Sequence, residues 1–427
     1  MFYFLVFLFG VAIPSGLIVF AAGNANPQSV AALCAGASAY CLMAINMFLA
    51  TRPPVIEGAM GGLDRLYQVH KWAGIAILAF VLFHKFVGMD LEGQIVAQGL
   101  AATAVEIAEI VFPILLVLLL ISLFKRLPGA ITRKVRALNR DLIPYGLWRW
   151  SHRVLGLLFI ALTLHQFFVK VPFDMNASAA QYLNIMAALG VVSFLYTQFL
   201  AFYRRRPYDI TNVERHPAAT IIDAKPRGRG IRPRPGAFAV ISIKRGGLRE
   251  PHPFTISKVG PEGEVQFSIR GLGDYTRRLR DRVEVGDKMT VEGGYGRFDY
   301  AKGRKDQLWV AGGIGITPFL AFADSLTEAE TRTIKLVYCV TKPEEAVGLD
   351  RLRAAERRCK GFELDLHVSK TDGRLTAEVL ADKVPFDLAR AGLWFCGPAP
   401  MRTALLSGLR KLGKYPASVH FEEFEFR

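Results

Sequence analysis

The 427 residues leave room for two or three domains, and 52% of them are hydrophobic, which is high for a soluble protein. The five cysteines show neither metal-ligand spacing nor the pattern of a disulfide framework, so neither a zinc module nor a disulfide-stapled fold is expected. Basic loops that face an anionic membrane leaflet explain the net charge of +16 better than nucleic-acid binding does, so no nucleic-acid partner is expected.

Six apolar segments occupy the N-terminal half, and each is long enough to cross a hydrocarbon core of ~30 Å. They cover residues 2–22, 29–50, 66–88, 104–124, 148–171 and 182–203. The first segment lacks the basic leading region of a signal peptide, so we expect an uncleaved helix. Basic residues cluster in 51–65, in 125–140 and at 204–206, whereas the alternate loops are neutral or acidic. The positive-inside rule therefore predicts that both termini are cytoplasmic.

Two pairs of histidines lie inside these segments, His70 with His84 in the third and His152 with His165 in the fifth. Ionisable side chains within a membrane are costly and usually functional. Spacings of 14 and 13 residues each span roughly 20 Å of helix, which is two levels within one bilayer. Two helices with a histidine at each level can hold two b-type haems, each iron between two imidazoles. The topology places His70 with His152 at the inner level and His84 with His165 at the outer level.

The fifth segment poses a geometric difficulty, because a 13-residue step misses the same helix face by roughly 140°. We therefore expect this helix to be bent, tilted, or locally over- or underwound, and Gly156 is a position where it can yield. Phe159 lies between the two histidines of this helix. It either fills the space between the haems or faces lipid.

The C-terminal half changes character at Tyr208, where short β-like runs alternate with glycine and proline turns. The runs 218–224, 237–243, 265–269 and 288–292 predict a small antiparallel barrel. A buried strand at 307–311, a glycine-rich turn, a helix pattern and strands at 334–340, 363–368 and 393–396 predict a parallel α/β sheet. Such a turn brings backbone N–H groups close to a pyrophosphate. We expect three domains, at 1–206, 207–305 and 306–427.

Five short motifs follow one another in this half. They are Arg234-Pro235-Gly236-Ala237-Phe238, His252-Pro253-Phe254-Thr255, Ile269-Arg270 with Gly273-Asp274-Tyr275-Thr276, Gly312–Pro318, and Phe395-Cys396-Gly397-Pro398 with Met401. With the paired histidines, their order resembles the bacterial NADPH oxidase and ferric reductase-like transmembrane flavocytochromes b. The resemblance implies a six-helix all-α transmembrane haem domain followed by a ferredoxin reductase-like module. That module consists of an antiparallel β-barrel FAD domain and an α/β parallel-sheet nucleotide domain.

The resemblance also implies roles for individual residues. FAD is expected at His252, Pro253, Phe254, Thr255, Arg270, Gly273, Asp274, Tyr275 and Thr276. NADPH, with NADH possible, is expected at Gly312, Gly313, Gly315, Thr317, Pro318, Lys342, Cys396, Gly397 and Pro398. Cys396 is expected to contact the nicotinamide, and Phe424, or else Phe426, to stack on the flavin. The alternatives are a barrel-core role for Phe254, an ordinary buried thiol at Cys396 and an edge strand at the C-terminus.

The expected function is electron transfer from cytosolic NADPH or NADH through FAD and two bis-histidine b-type haems, across a bacterial inner membrane. Dioxygen is the preferred acceptor, giving superoxide. The sequence departs from the animal oxidases at two places. The residue one turn beyond His84 is Gly88, and the second segment has no arginine in its outward half. There are two alternatives: a ferric-chelate reductase, and a cytochrome subunit that passes electrons to an unknown protein partner. Lys342 is less selective than an arginine fork, so we expect NADPH use with tolerance of NADH.

Overall fold

The computed structural model describes residues 2–23, 25–60, 62–87, 99–124, 145–169 and 177–422. The chain forms two compact units, Met1–Ala201 and Phe202–Arg427. The first unit is helical, and the second contains the strands.

The first unit is built of seven helices within the described residues. They are α1 (Phe2–Ala22), α2 (Pro27–Ala50), α3 (Pro54–Met60), α4 (Leu63–Phe86), α5 (Leu100–Phe124), α6 (Tyr145–Phe168) and α7 (Ala177–Leu195). A π-helical turn, Leu8–Ala12, interrupts α1, and a second one, Tyr196–Leu200, extends α7. All except α3 are long and apolar enough to cross a membrane. The predicted set of six spans is therefore confirmed for the described part of the chain.

Helix α2 is the centre of this bundle. In its most apolar stretch 67% of the residues are buried, against at most 28% in the other spans that the structure describes. It packs against α4 and α7, while α5 packs against α6. Small residues such as Ala32, Ala35 and Ser38 let its neighbours approach closely. The Tyr40 hydroxyl lies 3.0 Å from Thr163 Oγ1 and ties α2 to α6.

Helix α6 differs from the prediction in two respects. It is α-helical throughout, so the predicted local over- or underwinding is wrong, and only a bend or tilt can adjust its histidines. Gly156 instead makes room for α7, because a Cβ there would lie 2.2 Å from the Phe194 ring. Phe159 is fully buried and stacks on Tyr40, with ring centroids 5.0 Å apart and an interplanar angle of 13°. The lipid-facing alternative for Phe159 is therefore wrong.

A closed antiparallel barrel begins the second unit. Its strands are β1 (Arg206–Arg215), β2 (Thr220–Pro226), β3 (Phe238–Ile243), β4 (His252–Val259), β5 (Val265–Ile269) and β6 (Lys288–Tyr295). They are arranged in the order β1-β2-β5-β4-β3-β6, with β6 pairing with β1. Helix α8 (Asp274–Arg282) lies between β5 and β6 in the chain and contributes Tyr275 and Leu279 to the barrel core.

A parallel five-stranded sheet completes the unit. It consists of β7 (Asp306–Gly312), β8 (Thr333–Val340), β9 (Phe362–Val368), β10 (Gly392–Cys396) and β11 (Ser418–Glu422), in the order β11-β10-β7-β8-β9. The helices α9 (Thr317–Ser325), α10 (Leu349–Arg358), α11 (Ser369–Asp372), α12 (Ala377–Asp382) and α13 (Ala399–Lys411) connect the strands. Strands β7 and β10 are buried almost throughout, as expected for a sheet covered on both faces. The predicted ferredoxin reductase-like architecture is thus confirmed.

Candidate functional site

The structure brings together one histidine from each of the two histidine-bearing helices. His70 of α4 and His152 of α6 face each other with ring centroids 6.0 Å apart and an interplanar angle of 59°. That separation leaves room for one metal ion about 2 Å from a nitrogen of each ring. The His152 Nδ1 atom lies 3.1 Å from Ser122 Oγ, and the Ser122 hydroxyl donates its hydrogen to the Leu118 carbonyl. His152 Nδ1 must therefore be the donor to Ser122, which leaves Nε2 with its lone pair.

The second pair consists of His84, in the last turn of α4, and His165, in the last turn of α6. His84 Nδ1 lies 2.8 Å from the Ala32 carbonyl oxygen. Because a carbonyl only accepts, Nδ1 carries the proton and Nε2 has the lone pair that a metal would use. His165 Nδ1 is buried without a hydrogen-bond partner among the described residues. A glycine is needed beside this pair, because a Cβ at Gly36 would lie 2.6 Å from His84 Nδ1.

These donor sets fit one class of ligand. Among the described residues, no group of three or more histidine, cysteine or acidic side chains is placed to hold a metal. Two imidazoles alone do not complete the coordination of iron, so the remaining donors must come from a planar ligand such as a porphyrin. Imidazoles from α4 and α6 are thus of the donor type that could hold haem iron.

The barrel collects its predicted residues on β4 and α8. The His252 ring stacks on Tyr275 with centroids 3.7 Å apart, and Phe254 stacks more loosely on both rings at 6.4 Å. Thr255 Oγ1 is buried and has no hydrogen-bond partner in the described part of the chain. Such an orphaned hydroxyl beside stacked rings fits a polar, planar ligand like the flavin. The Thr276 hydroxyl is instead used at the start of α8, where it accepts from the Gly273 N–H at 2.9 Å.

The cationic residue predicted for the flavin phosphates lies beside the nucleotide half. Arg270 is exposed, and its Nη1 atom would be 3.4 Å from a Cβ at Gly313. Gly313 has φ +56°, in the left-handed region that favours glycine. The barrel arginine and the glycine-rich turn therefore share one location, where a guanidinium can donate hydrogen bonds to phosphate oxygens.

The glycine-rich turn contacts the Cys396-Gly397-Pro398 segment backbone to backbone. Strands β7 and β10 are parallel neighbours, with Ala311 opposite Cys396, so their carboxyl ends coincide. A Cβ at Gly315 would lie 2.1 Å from the Cys396 carbonyl oxygen. A Cβ at Gly397 would lie 3.0 Å from Gly312 Cα. Glycine is thus required wherever the two motifs meet.

A short 3-10 turn, Gly313–Ile316, leads from this junction into α9. Thr317 and Pro318 begin that helix, and the Thr317 hydroxyl donates to the Ile314 carbonyl at 3.2 Å. The N–H groups at the start of the helix are therefore at the carboxyl edge of the sheet, where parallel sheets bind nucleotides.

Cys396 is fully buried at the end of β10. Burial raises the pKa of its thiol well above the ordinary value, and the Glu422 carboxylate raises that pKa further. A thiol buried in this way stays neutral rather than forming a thiolate nucleophile, and its expected contact with the nicotinamide stays a prediction.

The remaining predicted residues lie at the edges of this region. Lys342 is exposed, two residues after β8, the sheet neighbour of the glycine-turn strand β7. Phe424 and Phe426 lie outside the described residues, as does Gly88. Strand β11 ends at Glu422, opposite Cys396 on β10.

Sequence reasoning missed a buried acidic centre at the start of the second unit. Glu292 of β6 is only 5% exposed. Its carboxylate lies 3.5 Å from Arg204 and 3.4 Å from Arg205, and the Tyr295 hydroxyl donates to it at 2.8 Å. A buried carboxylate needs such partners. No local pattern indicates this contact, because it joins residues 87 positions apart.

Family models match part of each half of the chain. Residues 35–163, which include His70, His84 and His152, match the family described as ferric reductase like transmembrane component. Residues 309–406 match the oxidoreductase NAD-binding domain.

Curated relatives match parts of the chain. The 2-halobenzoate 1,2-dioxygenase electron transfer component of Burkholderia cepacia is 28% identical over 199 residues, 44% of this chain and 58% of that protein. Ferric reduction oxidase 7, chloroplastic, of Arabidopsis thaliana is 27% identical over 287 residues, 61% of this chain and 35% of that protein. The chain thus spans roughly a third to three fifths of the length of these two relatives.

Solved structures resemble the chain more distantly. The ferredoxin reductase in carbazole 1,9a-dioxygenase has a TM-score of 0.43 at 20% identity, covering 52% of this chain and 69% of its own. The flavohemoglobin from Malassezia yamatoensis has a TM-score of 0.48 at 16% identity, covering 76% and 97%. Taken in their order along the sequence, the two family matches give the chain a ferric reductase-like transmembrane component followed by an NAD-binding oxidoreductase domain, an arrangement that matches a ferric reductase-like flavocytochrome family.

Proposed function

We propose that the protein transfers electrons from cytosolic NADPH or NADH, through FAD and two b-type haems, to an acceptor on the far side of a bacterial inner membrane. The observation that carries this proposal is that the His70 and His152 rings lie 6.0 Å apart between α4 and α6, the two helices that also carry His84 and His165. We assign the haem part to residues 1–206, the FAD part to 207–305 and the nucleotide part to 306–427, with both termini cytoplasmic.

The four histidines would be the axial ligands of the two irons. Ser122 and the Ala32 carbonyl orient two of these imidazoles by holding their Nδ1 hydrogens, so that Nε2 points away as the ligand atom. Two imidazoles per iron leave no open position, so an acceptor would be reduced without binding to iron.

The barrel side chains would bind FAD, with the His252, Phe254 and Tyr275 rings and the Thr255 hydroxyl toward the flavin and Arg270 toward its phosphates. When bound, FAD would supply the change from two-electron hydride chemistry to the one-electron chemistry of haem iron. Residues Gly312–Pro318 would bind the nucleotide phosphates, and buried Cys396 would pack beside the nicotinamide. Phe424, or else Phe426, would cover the flavin.

Dioxygen is the acceptor that we propose first, giving superoxide. A ferric chelate is the second candidate, because residues 35–163 match a ferric reductase like component and the Arabidopsis thaliana relative bears the name ferric reduction oxidase. The purified full chain, supplied with haem, FAD and NADPH, should show a low-spin b-type spectrum that NADPH reduces. Cytochrome c reduction that superoxide dismutase inhibits would identify dioxygen, whereas direct reduction of ferric citrate would identify iron. A protein that binds no haem would contradict the proposal.

Replacing Gly36 with alanine should lower haem content, because the new Cβ would lie 2.6 Å from the His84 ring and displace it. We expect the outer haem to be lost or its affinity to fall about 10–100-fold, the usual cost of disturbing a metal ligand's support. Gly16→Ala is the matched control, since a Cβ there meets nothing within 4 Å and the residue lies on the span α1, which carries no histidine. Haem per chain, measured as pyridine haemochrome, should fall only in the first variant. Equal haem content in both variants would contradict the placement of His84.

Replacing Lys342 with alanine should lower kcat/KM for NADPH about 10-fold and leave kcat/KM for NADH within a factor of two, because one exposed charge toward a 2′-phosphate is lost. Lys302, also exposed but after β6, provides the control variant Lys302→Ala. An unchanged ratio of the two kcat/KM values in Lys342→Ala would remove Lys342 from nucleotide selection.

A further inference from the structure

One arginine of the nucleotide half reaches across to the barrel. Arg351 lies in the first turn of α10, and its Nη1 atom donates to Gln266 Oε1 at 2.8 Å. Its Nη2 atom donates to the Ser257 carbonyl at 2.7 Å. The same guanidinium pairs with Asp324 of α9, with Nη2 2.5 Å from Oδ2 and Nε 3.4 Å from Oδ1. A single side chain therefore joins β4 and β5 of the barrel to two helices of the nucleotide half.

The acceptors on the barrel side are held in place by their own hydrogen bonds. Ser257 is fully buried, and its hydroxyl donates to the Gln266 carbonyl at 3.1 Å. The Gln266 amide donates to Asp223 Oδ1 of β2 at 2.8 Å. Ser268 donates to the Ser257 hydroxyl at 3.2 Å. Because these groups are already ordered, the guanidinium meets acceptors of fixed direction and distance.

The elements that Arg351 joins carry the two proposed cofactor motifs. Ser257 lies two residues after Thr255 on β4, the strand of the flavin motif. Asp324 lies near the end of α9, the helix that follows the glycine-rich turn. Ile221 of the barrel also shares an apolar cluster with Phe319 and Phe322 of α9, but apolar burial is non-directional. A planar guanidinium fork, in contrast, fixes orientation.

We propose that Arg351 is a positioning residue that sets the placement of the barrel relative to the nucleotide half for hydride transfer. The inference rests on the proposed function, because it concerns NADPH and FAD bound to these two parts. In the transfer, one hydrogen nucleus with two electrons passes from the nicotinamide to the flavin; the nicotinamide is oxidised, the flavin is reduced and no further reactant is needed. Reacting atoms must lie about 3–3.5 Å apart, and a misplacement of 1 Å can cost roughly 100-fold in rate.

The experiment compares the full-length protein with Arg351→Ala and with Arg351→Lys, which keeps the charge but loses the fork. In anaerobic stopped flow, the limiting rate of flavin reduction by NADPH should fall about 10–100-fold in both variants. FAD content and the Kd for NADPH should stay within a factor of two, and the isotope effect with C4-deuterated NADPH should rise as hydride transfer becomes slower. In the nucleotide-free protein, hydrogen exchange should speed up near Ser257 and near Asp324.

Arg358→Ala is the matched control, because Arg358 lies on the same helix and, among the described residues, donates only within the nucleotide half, to the Leu326 and Ala323 carbonyls at 2.9 and 2.8 Å. This variant should lose a similar amount of thermal stability and keep the rate of flavin reduction. Wild-type rates in Arg351→Ala, or an equal slowing in Arg358→Ala, would overturn the proposal. If the unaltered protein shows no flavin reduction by NADPH, the proposed function fails, and unchanged exchange near Ser257 in Arg351→Ala would separately overturn the role of Arg351.

Discussion

Replacing His84 with alanine should remove one haem per chain and leave the other reducible by NADPH. His84 would be an axial ligand of the outer haem, and the tautomer set by the Ala32 carbonyl directs its Nε2 lone pair to the metal. Without this ligand, electrons should reach the inner haem and stop there. Delivery to dioxygen or ferric citrate should therefore fall by more than about 100-fold, beyond what is lost when only a ligand's support is removed. Haem per chain, the spectrum after NADPH addition and acceptor reduction are the three measurements.

Two further variants make this result specific. His70→Ala should remove the inner haem, so that NADPH no longer reduces the remaining haem although the flavin is still reduced. His216→Ala should keep both haems, because His216 lies between β1 and β2, where its Nδ1 accepts from the Ala218 N–H at 3.2 Å. Free imidazole should restore haem to His84→Ala if the side chain acts as a ligand. Two haems per chain in His84→Ala, or identical behaviour of the His70 and His84 variants, would contradict the two-level assignment.

The functional histidines could be predicted from the sequence because ionisable imidazoles are rare within apolar membrane-spanning segments. An imidazole within an apolar segment needs a partner, and two pairs at nearly equal spacing indicate that the partner is repeated. The pairing of His70 with His152 then followed from the direction of the helices, and the structure brings these two rings together. Four of the five strands of the parallel sheet were predicted, β7 and β10 most directly because they are continuous apolar runs between turns. Strand β11 was considered only as an alternative for the C-terminal residues.

Contacts between distant residues could not be predicted in this way. Gly36 makes room for His84, and Gly156 for Phe194, only because particular helices pack together. The 13-residue spacing suggested a local distortion of α6, but a regular helix meets its partners once the bundle is assembled. Arg351 resembles any helix-surface arginine until the barrel is placed beside it. A local sequence pattern indicates which kind of partner a residue requires. Which residue becomes that partner depends on how the chain folds.

The same limit applies to the barrel. Strand β4 was not predicted as a strand, because Pro253 interrupts it and its burial does not alternate; its residues His252–Thr255 were noted only for their resemblance to a flavin motif. The hydroxyl of Thr276 accepts from the Gly273 N–H at the start of α8, and its expected contact with the flavin or a phosphate stays a prediction. A threonine at such a position has two possible partners, and the sequence does not distinguish between them.

Replacing Gly315 with alanine should abolish NADPH-driven flavin reduction without affecting the haems. The new Cβ would lie 2.1 Å from the Cys396 carbonyl oxygen and 3.0 Å from the Gly397 nitrogen, and neither backbone atom can rotate away. Strands β7 and β10 would have to separate at the edge where the proposed nucleotide motifs meet. Overpacking of this kind costs about 1–3 kcal/mol, and we expect a similar loss in unfolding free energy. Because the displacement falls within the site, kcat/KM for NADPH should drop by at least about 100-fold.

A matched glycine separates this local effect from a general effect of added bulk. Gly246 lies between β3 and β4, has no positive φ, and a Cβ there would meet nothing within 4 Å. Gly246→Ala should keep both stability and kcat/KM. In Gly315→Ala, dithionite should still reduce both haems to the wild-type spectrum, because the substitution does not reach the helical unit. Normal flavin reduction by NADPH in Gly315→Ala would show that the junction of the glycine-rich turn with Cys396 does not bind the nucleotide, whereas an equal loss in both variants would show that the defect is one of folding.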